Sequence, residues 1–519
     1  MGAKPSRRQL LEYVPTSDRE IKICVYRNHS FELVEHIIGA YLDFAGYKAS
    51  FCYSDYDDSL SFLHFDANAD LLILWLDLDR YKIADVASFV KERIAALRKS
   101  FSKPVVFVPI GRTAIRTDEV PVVDVAALQV QLGDRFYDER LESATGTRLS
   151  SAALMLLSKE LGLRYIPALL APTLKAIVLD LDNTLYEGVL GEDGVEGVRL
   201  TEGHKHLQEY LKEKGKEGFF LCVASKNDAR DVEKLFDERK DFPLRKEDFT
   251  VICASWDEKS HSVEKVLKIL NVGADSLLFV DDNVGELAAM RAAFPSVKLL
   301  HASLDGEETY RMISYYPGLL RLRAGADDAL RKADVLSNVA RDEMRQTMSK
   351  EEYIRSLEMK LVFNVNVEEY APRISELANK TNQFIFNYKR YDLATVEGMM
   401  RDRGSVVISA KLSDKLSDSG TIGVAAGRKA DDAFILEECF VSCRALGRGI
   451  DDLLVLGMIQ TAMNACGSDR LAVQFKKGER NEPAQKFVDA HLNGYLGAPA
   501  PFHYDMDASL AEVEIIQGR

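Results

Sequence analysis

No run of residues is apolar for long enough to cross a bilayer, and positive charge is in deficit: 67 Lys and Arg stand against 81 Asp and Glu, a formal charge of −14. The first absence argues against a membrane span. The second argues against docking on nucleic acid, which asks for a clustered basic face. Neither membrane nor nucleic acid is therefore expected as a partner. Cysteine is sparse and odd in number, at Cys24, Cys52, Cys222, Cys253, Cys439, Cys443 and Cys466, with no CxxC pair. With no secretory signal at the start, neither a disulfide framework nor a zinc site is expected, and a reducing, cytoplasmic setting is. The opening Met1-Gly2-Ala3-Lys4-Pro5-Ser6 has the form of an N-myristoylation signal, a pattern too short to weigh much. Internal repeats and low-complexity tracts are also lacking. What is present, 47% hydrophobic and 29% charged residues over 519, is ordinary globular composition on more chain than one core serves, so two to four domains are expected.

Apolar strands at 21–26, 71–76 and 105–108 alternate with amphipathic helices at 31–44 and 83–97. That rhythm predicts a parallel sheet covered on both faces, in a first α/β domain over residues 1–173. A second α/β unit, 174–325, has strands at 176–181, 219–224, 249–253, 276–280 and 297–300. Residues 326–359 turn charged and helical, as a stiff linker would. A third unit, 360–519, has strands at 361–367, 406–410, 421–426, 434–442 and 471–475, with a helix at 451–466. The fold class is α/β and multi-domain.

The chemistry concentrates in the second unit. Val178-Leu179-Asp180-Leu181-Asp182-Asn183-Thr184 places two carboxylates two residues apart where a buried strand ends, so both can turn toward the sheet's carboxyl edge. Phosphoryl transfer needs an in-line nucleophile, a proton donor for the leaving oxygen and a cation for the equatorial charge. Asp180 fits the nucleophile and Asp182 the acid and base. Thr184, Ser225, Lys226, Asn227 and Lys259 are candidate phosphate-binding groups. Asp281 and Asp282, which end the strand at 276–280, join Asp180 and Asp182 in an oxygen-rich set suited to Mg²⁺. One Asp-x-Asp at a strand end is common, and Asp281-Asp282 alone reads as a helix-capping pair. Leu71 to Arg80 shows as much: a strand runs into Asp77-x-Asp79 with none of the downstream partners, and reads as ordinary strand-end chemistry. The full ordered set resembles the four motifs of the haloacid dehalogenase (HAD) superfamily. About forty residues separate Thr184 from Ser225, too few for an inserted cap domain, so the substrate is macromolecular or a neighbouring domain closes the site.

Leu179-Asp180-Leu181-Asp182-Asn183-Thr184-Leu185 followed by Gly188-Val189-Leu190-Gly191-Glu192-Asp193-Gly194 goes further and resembles the FkbH-like family. Ser225-Lys226-Asn227-Asp228, Trp256-Asp257-Glu258-Lys259-Ser260 and Phe279-Val280-Asp281-Asp282-Asn283 add to the match. So do Asn379-Lys380-Thr381-Asn382-Gln383-Phe384, Asp418-Ser419-Gly420 and Ser442-Cys443-Arg444-Ala445-Leu446-Gly447-Arg448-Gly449. The resemblance implies a bifunctional glyceryl transferase/phosphatase that takes a glyceryl unit from 1,3-bisphosphoglycerate and loads it on an acyl carrier protein. It implies three parts: a degenerate SGNH-hydrolase-like domain, a capless, Rossmann-like HAD domain and a GNAT-like α+β domain. This chain departs from the family after Leu185, where Tyr186-Glu187 replaces the usual Trp-Gly.

In the last unit, Arg444-x-x-Gly447-x-Gly449 between a strand and a helix resembles the pyrophosphate loop of GNAT acyltransferases, which points backbone N–H groups at coenzyme A or phosphopantetheine. The spacing alone is weak. Cys443, directly before that loop, reads either as a buried core thiol or as a thiolate that accepts the acyl group as a thioester. Asn379, Thr381, Asn382 and Gln383, with Arg444, Gly447, Arg448 and Gly449, are candidate acyl- or pantetheine-binding residues; the first group also reads as a plain helix terminus. Two rival readings stand beside the carrier-loading enzyme. One is a phosphatase fused to a CoA-dependent acetyltransferase acting on a sugar or metabolite, and the other is a partner-binding scaffold without turnover.

Overall fold

The computed structural model describes residues 5–56, 60–62, 66, 68–322, 335, 337–338, 341, 344–345, 347–381, 383–442, 445–446, 448–478, 480–506 and 510–518. The chain is α/β and carries three separate sheets. The first is parallel, from β1 (Glu20–Arg27), β2 (Lys48–Tyr53), β3 (Leu71–Asp77) and β4 (Val105–Ile110), in the order β2-β1-β3-β4. Every residue of β3 and β4 is buried, as strands covered on both faces require. β2 is absent from the sequence reading. Its Lys-Ala-Ser-Phe-Cys-Tyr is an edge strand, half-exposed throughout, with no apolar run to announce it. It also overturns the expectation of no disulfide. Cys24 and Cys52, 28 residues apart, face each other across β1 and β2 and form one, with Cα atoms 4.7 Å apart. The right-handed crossover brings them together, which spacing in sequence cannot show. The expectation of a reducing compartment loses part of its support. No helix is long and apolar enough to cross a membrane, among the described residues.

The second sheet is parallel, from β5 (Ala176–Leu179), β6 (Phe220–Ser225), β7 (Val251–Ala254), β8 (Leu277–Asp281) and β9 (Lys298–His301), in the order β7-β6-β5-β8-β9. Alternate residues of β5 feed different cores: Ile177 and Leu179 pack with Val223 and Val280, Ala176 and Val178 with Cys222 and Phe279. The chain runs outward from β5 through β6 to β7, then returns to β8 on the other side. That reversal leaves a crevice at the carboxyl ends of β5 and β8, where open α/β sheets hold ligands.

Within the expected linker, the helix Lys350–Leu357 is present, opened by a Ser349–Glu352 capping box. Most of 326–349 lies outside the described residues. The third sheet is mixed. It contains β10 (Lys360–Val365), β11 (Ser405–Ser413), β12 (Asp418–Ala430), β13 (Ala433–Val441), β14 (Arg470–Val473), β15 (Ala500–Pro501) and β16 (Glu512–Gln517), in the order β15-β14-β13-β12-β11-β10-β16. The short β15 and the mostly exposed β16 escaped the sequence reading for the same reason as β2. The helix Asp451–Cys466 is buried from Leu453 to Met463, on every side, as an all-round apolar helix must be.

β13 and β14 pair in parallel only from Ala433 to Leu436. Beyond that the strands part, and the chain's own segment at 384–386 fills the gap. Phe386 N–H donates to the Cys439 carbonyl (2.9 Å), Val441 N–H to Phe384 (3.0 Å) and Lys476 N–H to Phe386 (2.8 Å). Buried Glu438 holds this segment through four backbone N–H groups, those of Phe386, Asn387, Lys389 and Cys439, at 2.7–3.0 Å. Glu438→Ala is expected to leave those donors unpaired and to cost about 3 kcal/mol or more, each orphaned buried donor being worth roughly 1–3. Denaturant unfolding that shows no loss would mean the segment is held by its phenylalanines alone.

Candidate active site

The second sheet ends in a set of carboxylates. Asp180 follows β5, kept in register by its N–H on the Val280 carbonyl (3.0 Å). The chain then turns sharply through Asn183, at a left-handed φ of 53° that asparagine tolerates, and Gly188, at φ 114°. Asp281 closes β8 and Asp282 follows it. Carboxylate oxygens of Asp180, Asp281 and Asp282 all lie within 4.8 Å of one another. Lys259, first residue of the helix Lys259–Leu270, sits between two of them, with Nζ 2.8 Å from Asp180 Oδ1 and 2.7 Å from Asp281 Oδ2. Asp180, Lys259 and Asp281 are all buried.

Burial pushes Asp180 up to about 7; Lys259 opposes this and Asp281 adds to it. Burial raises Asp281 as well, and burial together with Asp281 raises Asp282. Burial would lower the Lys259 ammonium, yet the two carboxylates outweigh it and raise it. Three carboxylates against one ammonium leave a net deficit of positive charge in a dry place. The donor set is all oxygen, and a hard divalent cation such as Mg²⁺ fits it.

Asp182 corrects one expectation. Its side chain stands outside this carboxylate set, so it is not among the groups placed to hold the cation through a carboxylate. Asp182 Oδ1 accepts from the Tyr186 hydroxyl (2.7 Å) and the Leu190 N–H (3.0 Å), and Oδ2 from Asn227 Nδ2 (2.8 Å). Two carboxyl groups with different surroundings are what distinct nucleophile and acid–base roles need.

The expected phosphate-binding residues divide. Ser225 is buried at the end of β6 and accepts from Asn227 Nδ2 (2.9 Å), leaving its own proton to give. Lys226 is half-exposed and paired with Glu286 (2.6 Å). Thr184 is a correction: its hydroxyl is sealed in the core without a hydrogen-bond partner, so it offers nothing to a phosphate in this structure. Glu187, the carboxylate new to this chain, is paired with Arg199 away from the cluster. Tyr186 and the Leu190 N–H are functional groups the sequence reading missed. The signal was a tyrosine four residues beyond Asp182 at the departure from Trp-Gly.

In the third unit, Cys443, Arg444, Gly447 and Asn382 lie outside the described residues. Arg448 corrects the reading of it as a pantetheine contact. Its guanidinium is buried on Asp414 (3.0 Å) and Ser419 (2.9 Å), with Arg341 on the other side of the same carboxylate (2.8 Å). Asn379 caps rather than binds, donating to the Ser375 and Tyr391 carbonyls (2.8 and 3.1 Å). Thr381 is buried, and its carbonyl accepts from Arg390 (2.8 Å). Gln383 lies against Gly273 of the second unit, so closely that a side chain at Gly273 would collide with it. Gly449 is exposed at φ 87°, where a side chain is disfavoured.

The contacts between units also revise the idea that a neighbour covers the phosphoryl site. Asn271 donates to the Leu446 carbonyl (3.4 Å), Asp275 pairs with Arg480 (3.5 Å), and the Ile269 carbonyl accepts from Asn338 (3.2 Å). All three lie at the far end of the helix that begins with Lys259. Its 12 residues span about 18 Å. The third unit thus grips the amino edge of the second sheet, opposite the carboxylates. At the carboxyl edge Trp256, Val284 and Leu304, which follow β7, β8 and β9, are 72%, 64% and 71% exposed, as an uncovered rim would be. In the first unit, Asp77 and Asp79 are both taken up by Arg148 (2.7–2.9 Å), in line with ordinary strand-end chemistry.

No family model and no curated protein matches the chain. Among solved structures, the N-terminal part of BF1531 from Bacteroides fragilis, containing a phosphatase domain complexed with Mg, is 18% identical with a TM-score of 0.49. That match covers 61% of this chain and 98% of the other. A ribosomal-protein-alanine N-acetyltransferase from Brucella melitensis biovar Abortus 2308 is 14% identical over 28% of this chain and 99% of its own, with a TM-score of 0.21. A protein from Streptomyces avermitilis MA-4680 named for the HAD hydrolase family is 16% identical over 28% and 92%, with a TM-score of 0.21. At these identities and scores the likenesses fix neither activity nor ligand.

Proposed function

We propose that the chain is an Mg²⁺-dependent phosphatase of HAD type coupled to an acyl transferase. The observation that carries the phosphatase is the pairing of Asp180 on Lys259 with Asp182 held apart by three donors. In this reading an Asp180 oxygen forms a bond to phosphorus as the bond to the substrate oxygen breaks. Asp182 gives that leaving oxygen its proton. Water then attacks the aspartyl-phosphate, losing a proton to Asp182, and phosphate departs. Lys259 and the Ser225 hydroxyl hold the phosphoryl oxygens. The cation, on Asp180, Asp281 and Asp282, would neutralise their charge and that of the phosphate.

The transferase half rests on the motif resemblance. Its substrate would be a 1,3-bisphosphoglycerate-like acyl phosphate and its acceptor the phosphopantetheine of an acyl carrier protein. The Cys443 thiolate would attack the acyl carbon, forming C–S as the carbon–oxygen bond breaks and phosphate leaves. The filled gap beside β13 favours this over a CoA-dependent acetyltransferase. An extended arm laid along β13 as an added strand would find Cys439 and Val441 already bonded to the 384–386 segment. Because the phosphoryl site opens away from the third unit, an acyl group handled at both sites has to travel, as a carrier-borne arm allows.

Intact-protein mass spectrometry after mixing with enzymatically generated 1,3-bisphosphoglycerate tests this. The expected result is a hydroxylamine-labile glyceryl adduct on wild type, a heavier phosphoglyceryl adduct on Asp180→Asn, and neither on Cys443→Ala. Cys443→Ala should still hydrolyse aryl phosphates. Unmodified wild-type protein with an active phosphatase site would remove glyceryl loading, and an acetyl adduct or CoA binding would bring back the acetyltransferase.

A further inference from the structure

We propose that Tyr186 is the positioning residue for the acid–base carboxyl: its hydroxyl, with the Leu190 N–H, saturates Asp182 Oδ1 and leaves Oδ2 as the oxygen that carries the transferred proton. The inference rests on the reading of Asp182 as acid and base. A carboxylate offers about two acceptor sites on each oxygen. Oδ1 has both filled, by Tyr186 at 2.7 Å and Leu190 at 3.0 Å, whereas Oδ2 has one donor, Asn227 at 2.8 Å. Oδ2 is therefore the oxygen with a free site on which to bring a proton to the leaving group. During the first step the proton goes from Oδ2 to the departing oxygen as the phosphorus–oxygen bond breaks, and the carboxylate left behind is held by the same three donors.

The tyrosine is built to hold this position and not to exchange partners. Its ring is fully buried, 5.8 Å from that of Phe242, in the cluster that contains Leu181, Leu185, Val198 and Leu207. Inside those apolar walls the hydroxyl has one acceptor, Asp182. Burial first, and the Asp182 charge second, keep it protonated far above its ordinary range, so it serves only as a donor. An unanchored Asp182 would keep its chemistry and lose its aim, since a catalytic carboxyl displaced by a fraction of an ångström transfers a proton poorly.

Protonation of the leaving oxygen matters for poor leaving groups and hardly at all for good ones, which separates aim from general damage. The experiment measures kcat/KM, which reports the first phosphoryl transfer, with saturating Mg²⁺ on a series from dinitrophenyl phosphate through phenyl phosphate to an alkyl phosphate. Tyr186→Phe keeps the ring and its packing, so thermal melting close to wild type is expected. It should lose about tenfold on phenyl and alkyl phosphates, the worth of one hydrogen bond to a charged group, and less than about twofold on the dinitrophenyl ester. A uniform loss across the series, or none, would overturn the assignment of Tyr186 while leaving the phosphatase reading intact. Wild-type protein inert on every ester would overturn both.

Discussion

Asp180→Asn is expected to lower phosphate release from an aryl phosphate by a factor on the order of 10⁴ or more, the scale of nucleophile deletions in enzymes with covalent intermediates. The amide nearly matches the carboxylate in shape but cannot attack phosphorus. The same variant should melt higher than wild type in the absence of divalent metal at pH 8. Asp180 is raised from 3.8 to about 7 in the folded chain, chiefly by burial. A carboxyl whose folded value lies above its unfolded one binds more protons when folded, so stability is lost as pH rises from about 4 through about 7. Asparagine carries no such penalty. The gap in melting temperature should therefore be widest at pH 8 and close toward pH 4. Retained turnover in a folded variant would remove Asp180 from the nucleophile role. A lower melting temperature at pH 8 would show that the Lys259 ion pair outweighs the burial of charge.

The parts of this molecule that sequence made legible are those where one residue type answers to one physical demand. Strands β1, β3, β4 and β5 to β9 are continuous apolar runs because both faces of their sheets are covered, and the helix Asp451–Cys466 is apolar on all sides because it is buried on all sides. Asp180, Lys259, Asp281 and Asp282 were legible as a set since each ends a strand or opens a helix at one sheet edge. What was hidden depends on contacts between distant segments. The Cys24–Cys52 pair needs the β1–β2 register, and the edge strands β2, β15 and β16 carry no burial to mark them.

Two misreadings come from the same source. Arg448 stands in a motif that elsewhere binds phosphate, yet here Asp414, 34 residues earlier, claims its guanidinium. Thr184 stands beside the nucleophile in sequence, but the turn through Asn183 sends its hydroxyl into the core. A motif gives the residue types near a site, and which of them face it is decided by the next few backbone dihedrals and by the partners the fold brings up.

Those dihedrals leave three carboxylates and one ammonium at the carboxyl edge, and removing divalent metal should stop phosphoryl transfer there. A dianionic phosphate approaching Asp180, Asp281 and Asp282 meets only Lys259 in compensation, and Lys259 already serves two of them. Excess chelator is expected to lower turnover by about a hundredfold or more, since cation stabilisation of this kind supplies several kcal/mol, and Mg²⁺ should restore it. The carboxylates should respond differently to substitution. Asp281 anchors Lys259 (2.7 Å) and accepts the Asn283 N–H (2.9 Å), so Asp281→Asn should lower kcat even at saturating Mg²⁺. Asp282 is not among the partners of Lys259, so Asp282→Asn should raise the Mg²⁺ needed for half-activity by about tenfold, one charge-assisted ligand contact, and recover most of kcat when Mg²⁺ is abundant. Binding should also show without turnover: Mg²⁺ at about a hundred times its dissociation constant adds about 2.7 kcal/mol to the folded state, so the wild-type melting temperature should rise with Mg²⁺. The rise should be larger at pH 8 than at pH 5, where protons on Asp180 compete. Full activity in excess chelator, or a melting temperature indifferent to Mg²⁺ at pH 8, would mean that Lys259 alone balances these carboxylates and that the cation site is wrong.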